Sequence, residues 1–274
     1  MSDVAAKREA FRRLHEGGCF VIPNPWDRGS ARYLEALGFK ALATTSSGFA
    51  WSRGRSDNHV SLDEALRHFE DIASSVAIPV NGDFEGGFAV RPEDVAANVR
   101  HAVATGIAGV SIEDSTGDAE QPLFERSLAV ERVRAAREAV EGSGVLLTAR
   151  SEGFIVGRPD LDETIARLSA FAEAGADCLY APGIRGADTI AAVVRAVAPK
   201  PVNVLMGGGH ATVAELAALG VRRISVGGAL ARAAWKGFMD AAREIAEKGS
   251  FAALDTAAPF ADVNSLFRDE RARV

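Results

Sequence analysis

The chain has 274 residues, 47% of them hydrophobic and 25% charged, and a formal net charge of −6 at pH 7. No apolar run approaches the roughly 20 residues that a membrane span requires. The charges are interspersed and leave no basic stripe to neutralise phosphates, so neither a membrane nor a nucleic acid is expected as a partner.

Residues 1–17 are charged and helix-forming, without the apolar centre and small-residue cleavage site of a secretory leader, and the chain is expected to stay in the cytoplasm. Short β-rich runs then recur at 20–23, 41–45, 79–82, 109–112, 145–149, 177–181, 201–205 and 223–226. Helical patterns with apolar residues three and four apart lie between them, among others at 61–75, 92–105, 126–141, 161–174 and 211–219. Arg91-Pro92-Glu93-Asp94 opens one of these helices with proline and acids in the first turn, and Gly175 closes another. Segments 105–110, 174–177 and 219–222 each read as helix stop, glycine turn and new strand.

That alternation predicts a parallel sheet of βαβ units. No strand is followed by the GxGxxG pattern of a dinucleotide fold, so a closed (β/α)8 TIM-type barrel is preferred to an open doubly wound sheet. Residues 1–274 are read as a single barrel domain. Beyond Gly249 the alternation stops, and Pro259-Phe260 and Leu266-Phe267 leave apolar side chains either for a subunit interface built from 250–274 or for a cap on the chain's own barrel. Cys19 and Cys178 fall in apolar, strand-like stretches and read as buried, reduced thiols.

In such a barrel, chemistry collects at the C-terminal ends of the strands. Here those ends are acidic: Asp83 and Glu85 follow the third run, and Glu113-Asp114 the fourth. Three or four carboxylates at one mouth repel each other unless a cation neutralises them, and oxygen-only ligation suits Mg²⁺, with Mn²⁺ as the alternative ion. Helix N-capping is the competing use of these acids, chiefly for Asp114. Arg150, after the fifth run, is suited to grip a carboxylate or phosphonate, or else to pair structurally with Glu152 or Glu113. Thr44 to Phe49 offers hydroxyls and backbone N–H groups around Gly48 for anionic oxygens. Tyr180 and His210 are the remaining candidate acids or bases, with barrel-mouth packing and a surface loop as their plainer roles. Asn203, in the seventh run, joins the substrate-binding candidates.

These segments, in this order, resemble the isocitrate lyase and phosphoenolpyruvate mutase superfamily over residues 24–235. The resemblance is carried by Ala149-Arg150-Ser151-Glu152-Gly153-Phe154-Ile155, then Ala174-Gly175-Ala176-Asp177, with Ser47-Gly48-Phe49, Asp57, Asp83-Phe84-Glu85-Gly86-Gly87-Phe88 and Ile112-Glu113-Asp114 in support. It implies that Asp83 binds Mg²⁺ directly, while Glu85 and Glu113 hold it mainly through water with Asp57 nearby. Ser47, Gly48 and Phe49 would hold the substrate, a small anionic 2-oxo acid, beside the metal, and Arg150 its remote anionic group. Arg150, Glu113, Asp57, Tyr180 and His210 are the candidate catalytic set. The resemblance also implies a homodimer or homotetramer with the last helix exchanged between subunits.

One departure narrows the chemistry. Where isocitrate and methylisocitrate lyases carry a KxCGH segment, this chain reads Ser115-Thr116-Gly117-Asp118-Ala119-Glu120-Gln121-Pro122, without Lys, Cys or His. The lysine- and asparagine-bearing lid of the phosphonomutases is absent as well. The expected activity is therefore Mg²⁺-dependent C–C cleavage or decarboxylation of a 2-oxo or 2-hydroxy di- or tricarboxylic acid through a pyruvate-like enolate. The alternatives are phosphonomutase P–C chemistry, a phosphate-binding isomerase or synthase using glycines 207–209 and 227–228, and a keto-acid-binding protein without turnover.

Overall fold

The computed structural model describes residues 3–209 and 211–268. Its strands are β1 (Phe20–Ile22), β2 (Leu42–Ala43), β3 (Val80–Asp83), β4 (Gly109–Glu113), β5 (Leu146–Arg150), β6 (Cys178–Tyr180), β7 (Val202–Leu205) and β8 (Arg223–Ser225). All ladders are parallel and run in the order β1-β8-β7-β6-β5-β4-β3-β2. A bond of 3.1 Å from Ala43 N to Pro23 O joins the two ends, so the sheet is a nearly closed (β/α)8 barrel. Every strand falls on an expected run, displaced by a residue or two at its ends.

The helices are α1 (Asp3–Glu16), α2 (Arg28–Ala36), α3 (Ser46–Ser52), α4 (Leu62–Ser75), α5 (Pro92–Ala104), α6 (Arg126–Val140), α7 (Leu161–Glu173), α8 (Ala187–Val197), α9 (Val213–Ala218), α10 (Ala229–Lys248) and α11 (Phe260–Leu266). Their starts follow local chemistry. Ser61 and Glu64 close a capping box on α4, Thr212 and Glu215 another on α9, and Pro92 occupies the first turn of α5.

Strand residues alternate between two environments. Val80, Val110, Ile112, Leu147, Leu179, Val202, Val204 and Ile224 face the helices and pack with Phe69, Val99, Val133, Leu168 and Phe171 in one core. The other face lines the barrel interior, whose base is plugged by Phe11 of α1 against Ile22, Ala41, Ala43, Ala108 and Leu146. Gly109 makes room for that plug, since a Cβ there would lie 2.5 Å from the Phe11 ring. Lys7 and Arg8 of α1 fasten it by donating to carbonyls at the ends of α4 and α5, Ala73 and Val76 for Lys7 and Val103 for Arg8.

The two cysteines are free. Cys178 is buried in β6, whereas Cys19 is half-buried just before β1 rather than inside it. No helix among the described residues is long and apolar enough to cross a membrane. Of the twenty residues of α10 only Ala231 is buried, and after Gly249 the chain folds back so that Glu244 accepts from Ser250 Oγ and the backbone of Ala252 and Ala253. Phe267 rests against Arg32 of α2, while Phe260 is 85% exposed.

Candidate active site

The mouth of the barrel is organised around one guanidinium. Arg150, the last residue of β5, places Nη1 2.5 Å from Asp83 Oδ1, Nη2 3.1 Å from Glu113 Oε2 and Nε 2.9 Å from Glu152 Oε1. Register brings this about, because Glu113 of β4 pairs with Arg150 and Asp83 of β3 sits one strand further round. Asp83 is fixed on its other side: its N–H donates to Thr44 Oγ1, and Oδ2 accepts from Ser46 N at 3.1 Å. Burial opposes the charge on Arg150, but Glu152, Glu113 and Asp83 outweigh it and hold the guanidinium firmly protonated.

The remaining acids carry the strain of that crowding. Burial first, and then the charges of Asp83 and Asp57, push Glu85 up to about 8. Asp57 is raised by burial and by Asp83, and Glu113 is raised well above the carboxylate range by burial. Glu85 (φ +47°), Gly87 (+74°) and Phe88 (+55°) adopt left-handed backbone, which two of these residues would avoid if unconstrained. Arg132 of α6 supplies the constraint by donating to the carbonyls of Gly86, Ala89 and Val90, with its guanidinium 4.0 Å over the Phe124 ring.

Asp83, Glu85 and Glu113 form an oxygen-only, mutually repelling donor set, and that chemistry fits a hard divalent cation. As they stand, no three metal-ligating side chains among the described residues converge on one point. Arg150 explains this: Asp83 and Asp57 line a cavity of about 200 Å³ on one side of it, and Glu85 and Glu113 line a neighbouring hollow of about 500 Å³. The smaller cavity is large enough for a small acid.

The segment expected as an anion-binding loop is instead α3, capped by Thr45, whose Oγ1 accepts from Gly48 N. Ser46 and Ser47 line the 200 Å³ cavity. Gly48 is needed for packing, because a Cβ would lie 2.7 Å from Thr45 Cγ2 and 3.0 Å from Trp26 Cβ. Phe49 points away and stacks on His68 at 3.9 Å. Tyr180 and Asn203 both line the cavity. Burial pushes the Tyr180 phenol up to about 12, so it is a proton donor rather than a base. His210 lies outside the described residues.

Asp114 neither caps a helix nor faces the other acids. Its Oδ1 accepts from Glu152 N at 2.8 Å and Oδ2 pairs with Arg167 at 3.3 Å, which anchors Glu152 beneath Arg150. The stretch after Glu113-Asp114 closes on itself through a bridge between Ser115 and Leu123. Sequence reasoning missed Asn24, Asn81, Ser111, Arg223 and Ser225, all of which line the cavity. An inward-facing polar residue inside an apolar strand was the signal for Asn81, Ser111, Arg223 and Ser225, whereas Asn24 follows its run. Asn24 Oδ1 accepts from Val226 N and Gly227 N, both at 2.9 Å, which engages backbone donors that a phosphate after β8 would need.

Known proteins share this fold and part of this sequence. The sequence profile of the phosphoenolpyruvate phosphomutase family matches residues 11–246. A crystal structure from Burkholderia cenocepacia J2315, described only as a lyase/mutase, is 50% identical, with a TM-score of 0.94 and coverage of 98% of either chain. Oxaloacetate acetylhydrolase in complex with its product oxalate is 27% identical, with a TM-score of 0.84 over 96% of this chain and 94% of that one. Oxaloacetate decarboxylase of Bradyrhizobium sp. (strain BTAi1 / ATCC BAA-1182) is 26% identical over 81% of this chain and 77% of its own.

Proposed function

This chain belongs to the phosphoenolpyruvate phosphomutase family, within the isocitrate lyase/phosphoenolpyruvate mutase superfamily, and from that premise we propose that it is a Mg²⁺-dependent lyase of a small 2-oxo acid. One observation carries the reading. Asp57 and Asp83 line a cavity large enough for such an acid, Glu85 and Glu113 line the hollow beside it, and Arg150 pairs with an acid of each group. Oxaloacetate is the first substrate to try, because the named relatives act on it and because the cavity is large enough for a small acid.

Asp83, Glu85 and Glu113 would hold the ion, Mg²⁺ by preference and Mn²⁺ as the alternative. Bound there, it supplies positive charge for the developing enolate. Ser46 and Ser47 orient the acid's oxygens from α3, and Asn203 donates from the opposite wall. Arg150, paired with three carboxylates, keeps Asp83 and Glu113 in place, and the neutral Tyr180 hydroxyl stands ready to protonate the enolate carbon. Decarboxylation or retro-aldol cleavage needs no cysteine acid, which suits the Ser115 to Pro122 stretch.

Calorimetry of EDTA-treated protein with oxalate tests the reading, since oxalate mimics the pyruvate enolate. Oxalate should bind with Mg²⁺, fail to bind without it, and fail with Asp83→Ala under both conditions. Equal binding with and without Mg²⁺ would overturn the metal-enolate assignment.

A further inference from the structure

The ladder registers pair Glu113 with Arg150, Arg150 with Tyr180, Tyr180 with Asn203 and Asn203 with Arg223. Barrel strands tilt by roughly 36°, so a row in register descends as it passes round the barrel. This row starts at the acidic mouth and ends at Arg223, which meets His15 of the α1 plug.

Arg223 is 3% exposed, and its partners are neutral. Nε donates to Asn203 Oδ1 at 2.9 Å, and Nη1 faces His15 Nε2 at 3.4 Å. His15 Nδ1 lies 2.8 Å from Phe11 O and so carries the ring proton, leaving Nε2 as an acceptor. Burial, and then the charge of Arg223, push this imidazole down to about 3. No carboxylate lies within 4.0 Å of Arg223 among the described residues.

A buried charge without a counter-charge is costly, and proteins that keep one give it a partner. Arg150 and Arg223 are the two cationic side chains lining the 200 Å³ cavity among the described residues. Arg150 is already matched by three carboxylates; Arg223 is matched by none. The surroundings of Arg223 add neutral donors. Asn203 Nδ2 donates to Ser225 Oγ at 2.9 Å, and the amide is held in that orientation because its oxygen accepts from Arg223.

We propose that Arg223, with Asn203 and Ser225, forms an anion subsite at the floor of the cavity that takes the carboxylate of the substrate remote from the metal. The proposal rests on the keto-acid reading for the identity of that carboxylate. It makes the protein selective for 2-oxo dicarboxylates over 2-oxo monocarboxylates.

Two measurements test it. In the first, calorimetry with Mg²⁺ compares pyruvate with 3,3-difluorooxaloacetate, which adds two fluorines and a second carboxylate to the 2-oxo acid head, so that the change of their ratio between native protein and variant reads the carboxylate. The native protein should favour the dianion by about tenfold or more. Arg223→Gln should bring the ratio close to one with pyruvate binding unchanged, and Arg223→Lys should restore part of it. An unchanged ratio in Arg223→Gln, or an equal loss for both ligands, would overturn the subsite.

The second measurement needs no metal and no keto acid. Sodium formate should raise the thermal midpoint of metal-free native protein more than that of Arg223→Gln at matched ionic strength. Equal shifts in the two proteins would remove the anion subsite outright. A formate effect confined to native protein, with no pyruvate or difluorooxaloacetate binding, would keep the subsite for a free carboxylate anion and discard the keto-acid reading.

Discussion

Asp83 Oδ1 lies 2.5 Å from Nη1 of Arg150, so the acid best placed to bind a cation is held by the chain's own guanidinium. The same arginine draws Glu113 to 3.1 Å and stands between the two groups of acids. A divalent ion at Asp83 must therefore compete with, or displace, a fixed positive charge. Removing that charge should strengthen metal binding while removing a group that the reaction needs. Arg150→Gln is expected to bind Mn²⁺ about tenfold more tightly than native protein, read by electron paramagnetic resonance, and to lose turnover. Weaker Mn²⁺ binding in that variant would mean that the ion does not sit beside Asp83.

Arg132 acts at one remove from the same acids. It donates to the carbonyls of Gly86, Ala89 and Val90 in the loop that carries Glu85, where three residues adopt left-handed backbone. Arg132→Met leaves those carbonyls without their donor and should cost about 2–4 kcal/mol in denaturant unfolding. As a positioning residue, Arg132 should also matter to the metal. Mn²⁺ affinity should fall in Arg132→Met and recover in part in Arg132→Lys. A stability loss with unaltered Mn²⁺ affinity would limit Arg132 to holding the fold.

The barrel was legible in the sequence because its strands are short apolar runs between helical patterns, some entered through a glycine turn, as in 105–113 and 174–180. Asp83, Glu113 and Arg150 were legible as the first charged residues after their runs. What the sequence concealed lies inside the runs. Asn81, Ser111 and Arg223 interrupt an apolar stretch and turn into the barrel, where only the period of two marks them. Ser46-Ser47-Gly48 read as a loop because serine and glycine favour loops, but Thr45 caps the segment and close packing at Gly48 makes it α3. Nor could spacing show that Arg150 would part the acids, because that follows from the register of three strands.

His68 gives a stability prediction with a definite sign. Its ring stacks on Phe49 at 3.9 Å, its Nε2 has no partner, and burial pushes it down to about 4, against opposing charges from Asp71 and Asp27. An unfolded histidine titrates near 6.5. Between about 6.5 and about 4 the unfolded chain binds the extra proton, so the contribution of His68 is complete above 6.5 and is lost as pH falls through 4. The full effect is about 3 kcal/mol at most. Glu85, raised to about 8, works in the opposite sense, so the test is a difference between proteins. The stability of native protein minus that of His68→Leu should fall as pH drops from 7 to 4. A flat difference would show that His68 is not held neutral in the fold.

The C-terminal segment leads to the last prediction. Phe238, Phe251 and Phe260 are 63%, 62% and 85% exposed, and α10 buries little beyond Ala231. Burying one such aromatic side chain is worth about 1.5–3 kcal/mol, so leaving several in water is unfavourable for a lone chain. None of the three belongs to the barrel core. Native protein should therefore sediment as a homodimer or homotetramer. A deletion of residues 250–274 should keep the circular dichroism of the barrel while raising the dissociation constant by about two orders of magnitude. Assembly that survives the deletion would move the interface to α10 alone, where Trp235 and Phe238 stack edge to face at 5.4 Å. A native monomer at tens of micromolar, by contrast, would mean that Phe267 against Arg32 marks the tail as a cap on its own barrel.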